Sequence, residues 1–376
     1  MSKTTEYTAL PPPPDTSGLS LPRQNNSSVS SGPPAAVRPG PGYMTSTLLP
    51  RSAAAAAAPG EYSPAPAPSP ASIEQLVVDR LDLTLGDLLL EGTFGRVYQG
   101  RLTLGQGCRD VMVKTIVMGS SEAQAVKLIT DGSLLWPVQH ATVLPLVATT
   151  SDGSSPMMIY EYLQPGNMKR WLAGCHQPVS THQAVSIGLQ LLAALQAVHR
   201  ANLVHGDVAA RNCYLTAGPG GGLAVKLSDA ALSKDLFPND YHCLGDNENR
   251  PVKWMAVERI GHSPATPASD VWSWGVTVWE VTIYHQPLYL QYLKYLQYLL
   301  SVQVLTRAQQ PFPDVDPMEM EGYLVSGFRL HQPVNCPDPL YSVMVSCWSH
   351  SPHHRATTNT LYQHLAEFNT QLQQFV

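Results

Sequence analysis

Lys114, Asp207, Asn212 and Asp229 have the side-chain types and the chain order that phosphoryl transfer requires. In that chemistry one carboxylate accepts the proton of an attacking hydroxyl. An amide oxygen and a second carboxylate hold Mg²⁺, and an ammonium group steadies the phosphates. Asp207 and Asn212 stand five positions apart in V-H-G-D-V-A-A-R-N, and Asp229 follows in K-L-S-D-A-A. Asp207 is therefore the candidate base and Asn212 and Asp229 are the candidate metal ligands.

Such groups act together only if the chain positions them, and the pattern around them is that of ordered elements. L-D-L-T-L-G-D-L-L-L, E-G-T-F-G-R-V-Y-Q-G and D-V-M-V-K read as strand, glycine turn, strand, turn and strand. Alone, G-x-x-G with a lysine nineteen residues later fits a plain β-hairpin, and its weight comes from lying ahead of the Val204–Glu258 stretch. Residues 122–135 and 185–199 have helical periodicity, M-M-I-Y-E-Y-L at 157–163 reads as a strand, and loops alternate with helices from Pro251. Asp270 opens an apolar helix in S-D-V-W-S-W-G-V, where an N-cap is the simplest role.

Composition narrows the classes. A net charge of −5 without a long basic run argues against nucleic acid as a partner. Six cysteines without a C-x-x-C pair indicate neither zinc nor a disulfide framework, and so a reducing compartment. The first residues lack the apolar core of a signal peptide, and no stretch reaches the roughly 18 apolar residues of a membrane span. A cytoplasmic chain is expected. Residues 1–72 hold 15 of the 33 prolines and a run of six alanines, so a disordered tail is expected there. Its proline runs suit SH3 or WW domains of signalling proteins, and Tyr7, Tyr43 and Tyr62 are open to modification; a plain solvated linker is the simpler alternative.

The spacing from Asp207 to Asn212 is that of the protein-kinase catalytic loop. A-A-R-N at 209–212 and P-V-K-W-M-A at 251–256 resemble tyrosine kinases. The segment from L-S-D-A-A-L to N-R-P-V-K-W-M-A, with P-F-P-D-V-D-P-M-E-M, Q-P-V-N-C-P-D and C-W-S, is similar to the Ryk/Derailed family of Wnt-binding receptor-like tyrosine kinases. The resemblance covers about residues 82–376. It implies a two-lobed α+β kinase fold over residues 80–374, with a small β-rich lobe and a large helical one. It also implies ATP and Mg²⁺ as cofactors if the site is active, and none if it is not.

By the same resemblance Leu90, Gly92, Gly95 and Val97 belong to the loop over the phosphates, and Lys114 projects from the third strand. Met112, Tyr160 and Tyr214 border the adenine pocket, Asp131 is the helix partner of Lys114, and Tyr241 is the candidate phosphorylation site. Asp270 ties the catalytic loop to the large lobe, where Glu258 and Arg355 form a buried ion pair. Members of that family carry an extracellular Wnt-binding module and one membrane span. Neither occurs in this sequence, so the expected place, if the chain is part of a longer receptor, is the cytoplasmic side of the plasma membrane.

Several positions depart from the pattern of an active kinase. Leu90 replaces the first loop glycine, so a branched side chain crowds a backbone that must approach phosphate. Asp131 is one methylene shorter than the usual glutamate. Met112 and Tyr214 replace a small ceiling and an aliphatic floor, and Tyr160 is a bulky gatekeeper. Ala230 and Ala231 replace the Phe and Gly that follow the metal-binding Asp, and Gly206 replaces the arginine that would receive a phosphorylated segment. Residues 286–309, with L-Y-L-Q-Y-L-K-Y-L-Q-Y-L, interrupt the match and read as an inserted surface excursion or a mis-called intron, with a functional module as the alternative. The expectation is a pseudokinase scaffold in a Wnt-linked pathway with weak or no ATP binding; its rival is an active tyrosine kinase.

Overall fold

The computed structural model describes residues 70–175, 177–283 and 310–374. The expected tail up to Ser69 and the expected insert at 286–309 lie outside the described residues. The first described element, a 3-10 helix over Pro70–Leu76, begins just before the expected end of the tail at 72.

The small lobe is a five-stranded antiparallel sheet in the order β1-β2-β3-β5-β4, made of Leu83–Glu91, Gly95–Leu104, Gly107–Ile116, Leu146–Asp152 and Ser155–Glu161 as β1 to β5. Side chains alternate faces along a strand, so Met112, Lys114 and Ile116 point one way and Val111 and Val113 the other. Both faces are covered, which is why β3 is buried from Val111 to Ile116. Val111 and Val113 pack with Leu83, Leu102 and Ile159. Met112 and Ile116 pack with Val97, Met158, Tyr160 and Leu128 of helix α1. That helix, Glu122–Ser133, starts at a capping box in which Ser121 and Gln124 satisfy each other's backbone N–H groups.

The large lobe is built on helices. Short α2 (Met168–Gly174) precedes α3 (Thr181–Arg200), which begins earlier than its apolar period because Ser180 and Gln183 form another capping box. A three-stranded sheet, β6 (Pro165–Asn167), β7 (Cys213–Ala217) and β8 (Leu223–Leu227), leads out of Asn212 and into Asp229. The following segment contains α4 (Ser233–Leu236), the pair β9 (His242–Cys243) and β10 (Asn249–Arg250), and α5 (Val257–Ile260).

Helix α6 (Pro267–Thr282) is buried almost throughout, with Trp272, Trp274, Val276 and Val278 in the core. Its N-cap is Thr266, with Pro267 in the first turn, so Asp270 is not the cap expected from sequence. Asp270 lies one turn inside and is free to bond elsewhere. Helices α7 (Met320–Val325), α8 (Asp338–Cys347) and α9 (Thr358–Gln373) complete the lobe. Arg355 meets Glu258 through two bonds of 2.8 and 3.0 Å and also donates to the carbonyls of Ala268 and Ser349. A planar guanidinium matched to a carboxylate in this way fixes orientation as well as charge. Among the described residues, no helix is long and apolar enough to cross a membrane.

Candidate active site

Lys114 leaves β3 toward the cleft, and its ammonium group meets Asp229 Oδ1 at 2.8 Å and Ser228 Oγ at 3.0 Å. Both Lys114 and Asp229 are 2% exposed. Asp131, expected to pair with Lys114 from helix α1, instead binds Lys127 one turn earlier on the same helix at 2.8 Å. Tyr160 supplies a physical reason. Its ring lies 4.8 Å from the Lys114 ammonium, and its hydroxyl reaches toward the Gly132 carbonyl at 3.5 Å, so a phenol fills the path from α1 to Lys114. Even a methyl at Gly132 would come within 2.9 Å of that hydroxyl. Burial, reinforced by the Asp229 carboxylate, pushes the Tyr160 phenol well above its ordinary pKa and keeps it neutral.

The candidate metal ligands are already bonded within the chain. Asp229 Oδ1 accepts the Ala231 N–H at 2.9 Å as well as the Lys114 ammonium, and Asn212 Oδ1 accepts the hydroxyl of Ser233. A hard cation needs those oxygens as ligands. In this arrangement an ammonium holds Asp229 Oδ1 and a hydroxyl holds Asn212 Oδ1, and Mg²⁺ would have to displace both to use those two oxygens.

Asp207 is engaged on both oxygens. Arg211 donates to Oδ1, while Oδ2 accepts the Tyr241 hydroxyl at 2.6 Å and the Asn212 amide at 2.9 Å. Arg211 also donates to the Tyr241 oxygen at 2.9 Å, and its guanidinium is stacked between the rings of Tyr241 and Trp254. Tyr241, the candidate phosphorylation site, thus sits buried with its hydroxyl on the candidate base. Burial, eased by Arg211 and reinforced by Asp207, pushes its phenol well above the ordinary value. The loop's backbone is anchored from below: Asp270 accepts the N–H groups of His205 at 2.9 Å and Gly206 at 2.8 Å, and pairs with His199 at 3.0 Å.

The adenine side of the cleft is a cavity of about 160 Å³. Leu90, Val97, Met112, Leu163, Tyr214 and Arg170 are among its lining residues. Small-molecule sites usually enclose about 300–1,000 Å³. Met112 and Tyr214 therefore face the space that the sequence assigned to them, whereas Tyr160 lies behind it. Arg170 of α2 donates to the Leu89 carbonyl and bridges the two lobes across the front. Arg170, Ser233 and Asp235, which also touches the phosphate loop, carried no sequence signal, since their contacts depend on the folded path. Only A-A-R-N hinted at Arg211.

The sequence profile of the protein tyrosine and serine/threonine kinase family matches residues 83–365, which span both lobes and every group just described. The chain belongs to the protein kinase family. Proteins of the Ryk/Derailed family are among its most similar relatives. The chain is 40% identical over 308 residues to tyrosine-protein kinase Dnt of Drosophila melanogaster, covering 81% of this chain and 48% of the relative. It is 37% identical over 317 residues to the mouse tyrosine-protein kinase RYK, covering 81% and 49%. It is 33% identical over 338 residues to a Caenorhabditis elegans protein named inactive tyrosine-protein kinase RYK, covering 80% and 53%. The chain spans about half the length of these curated relatives. It is a tyrosine-kinase-like domain of that family.

Proposed function

We propose that this kinase-like domain is a pseudokinase: a signalling scaffold of a Wnt-receptor-type pathway that binds nucleotide weakly or not at all and acts through the surfaces it presents. The observation that carries this reading is the Lys114–Asp229 pair. In an active kinase the lysine pairs with a glutamate of the small-lobe helix, and the Asp is left for Mg²⁺. Here the lysine neutralises the Asp, Asp131 is spent on Lys127, and Tyr160 stands between. The worm relative's name includes the word inactive, which agrees with this reading for that protein. The proposed place is the cytoplasmic side of the plasma membrane within a longer receptor, and the proposed partners are signalling proteins, with SH3 or WW domains on the N-terminal proline runs.

The rival, an active protein tyrosine kinase using ATP and Mg²⁺, draws on one specific observation: Asp207 and Asn212 remain in contact at 2.9 Å beside Asp229 and Lys114. The experiment that separates the two is autophosphorylation of the full chain with Mg·ATP, beside a variant combining Asp131→Glu, Ala230→Phe and Ala231→Gly, each with and without Asp207→Asn. The pseudokinase reading expects no transfer by the unmodified chain. Any gain in the variant should vanish with Asp207→Asn, because positioning and charge neutralisation supply most of this rate. Transfer by the unmodified chain at about 1 s⁻¹ or faster, abolished by Asp207→Asn, would establish the rival.

A further inference from the structure

Asp235 belongs to none of the catalytic roles above, yet its side chain binds the phosphate loop. Its carboxylate accepts three consecutive backbone N–H groups from the turn between β1 and β2: Thr93 at 3.0 Å, Phe94 at 3.1 Å and Gly95 at 2.7 Å. Consecutive N–H groups converging on one point form an anion nest. The approach is close. A Cβ built on Gly92 would lie 2.1 Å from Asp235 Oδ2 and 2.8 Å from its carbonyl oxygen, and one on Gly95 would lie 3.0 Å from Oδ2. The glycines that would let a phosphate approach the backbone here admit a carboxylate.

We infer that Asp235 is a built-in stand-in for a nucleotide phosphate: seated in the loop, its carboxylate makes the cleft discriminate against ligands carrying a polyphosphate while leaving the bare nucleoside unaffected. The inference deepens the pseudokinase reading and rests on it for the claim that nucleotide is excluded. Asp235 Oδ2 takes two of the donors that a phosphate oxygen would use, and its negative charge repels a second anion at the same place. The seat is held from its own side as well. Asp235 lies in α4, whose N-cap Leu232 adopts a left-handed backbone at φ 66° and packs its side chain against Gly95. The same helix carries Ser233, whose hydroxyl occupies Asn212 Oδ1. One four-residue turn therefore covers the phosphate nest and one metal ligand together, and withdrawing it would open both.

The test uses the full chain and fluorescent labelled ATP and labelled adenosine, titrated without Mg²⁺ so that Asn212 and Asp229 play no part. Asp235→Asn and Asp235→Ser remove the charge by two routes, and circular dichroism with thermal melting identifies the folded variants. The expected result is that affinity for labelled ATP rises about tenfold or more in either folded variant, as for loss of a competing charged contact, while affinity for labelled adenosine stays the same. An unchanged ratio of the two affinities, whether both rise or neither does, overturns the inference. Micromolar ATP binding by the unmodified chain would instead sink the pseudokinase reading. The two failures are thus read from different numbers.

Discussion

Replacing Lys114 by methionine keeps the side chain's length and removes its charge. Because Lys114 and Asp229 are each 2% exposed, Asp229 would be left as a buried carboxylate bonded to the Ala231 N–H without its cation. Removing one partner of a buried pair costs about 3–5 kcal/mol. With each kcal/mol moving the midpoint of a domain this size by about 2–4 °C, the melting temperature should fall by roughly 10 °C. The double change Lys114→Met with Asp229→Leu should recover most of that loss, since a well-packed apolar pair replaces a buried ion pair at little or no cost. Urea unfolding of the full chain, with the slope checked for constancy, reads both values. A single-variant loss below about 1 kcal/mol, the size of an exposed pair, would refute the reasoning. Lys114 would then be a solvated cation free to leave Asp229 for a phosphate.

Other outcomes follow from neighbouring contacts. Tyr241→Phe removes the hydroxyl shared by Asp207 and Arg211 and should cost about 1–3 kcal/mol in urea unfolding, the penalty for buried polar groups left without a partner. Met112→Ala with Tyr214→Leu enlarges the 160 Å³ cavity and should raise affinity for labelled adenosine, measured by fluorescence titration. Burial pushes Glu280 above its ordinary 4.5 despite the bonds it accepts from Ala210 and Trp254. As pH rises from that value the unfolded chain releases this proton before the folded chain does, so the Glu280 contribution to stability falls. Urea unfolding from pH 4.5 upward should show the stability of the unmodified chain declining relative to Glu280→Gln.

Much of this architecture can be read from the residues. The alternation before Lys114, the glycine turn and the Asp207–Asn212 spacing are local signals, and strand and loop geometry convert them directly into position. Asp270 shows where local reasoning stops. Its place at the head of an apolar run suggests a cap, but Thr266 with Pro267 starts the helix earlier and leaves the carboxylate for His205 and Gly206. Asp131 fails for a different reason. Its alignment places it on α1, yet it pairs with Lys127, and the Tyr160 ring beside the Lys114 ammonium is a contact that only packing reveals. Asp235 meets the phosphate loop across more than a hundred residues of chain, and no periodicity or motif marks such a contact.

The central claim, a cleft closed by its own side chains, is tested most directly by the melting temperature of the full chain with and without millimolar Mg·ATP. A ligand at a hundred times its dissociation constant adds about 2.7 kcal/mol of stability. At about 2–4 °C for each kcal/mol, that is a rise of several degrees. With Lys114 on Asp229, Ser233 on Asn212, Asp235 in the loop and Tyr241 on Asp207, the midpoint should not move. A rise of several degrees that saturates with Mg·ATP would contradict the account.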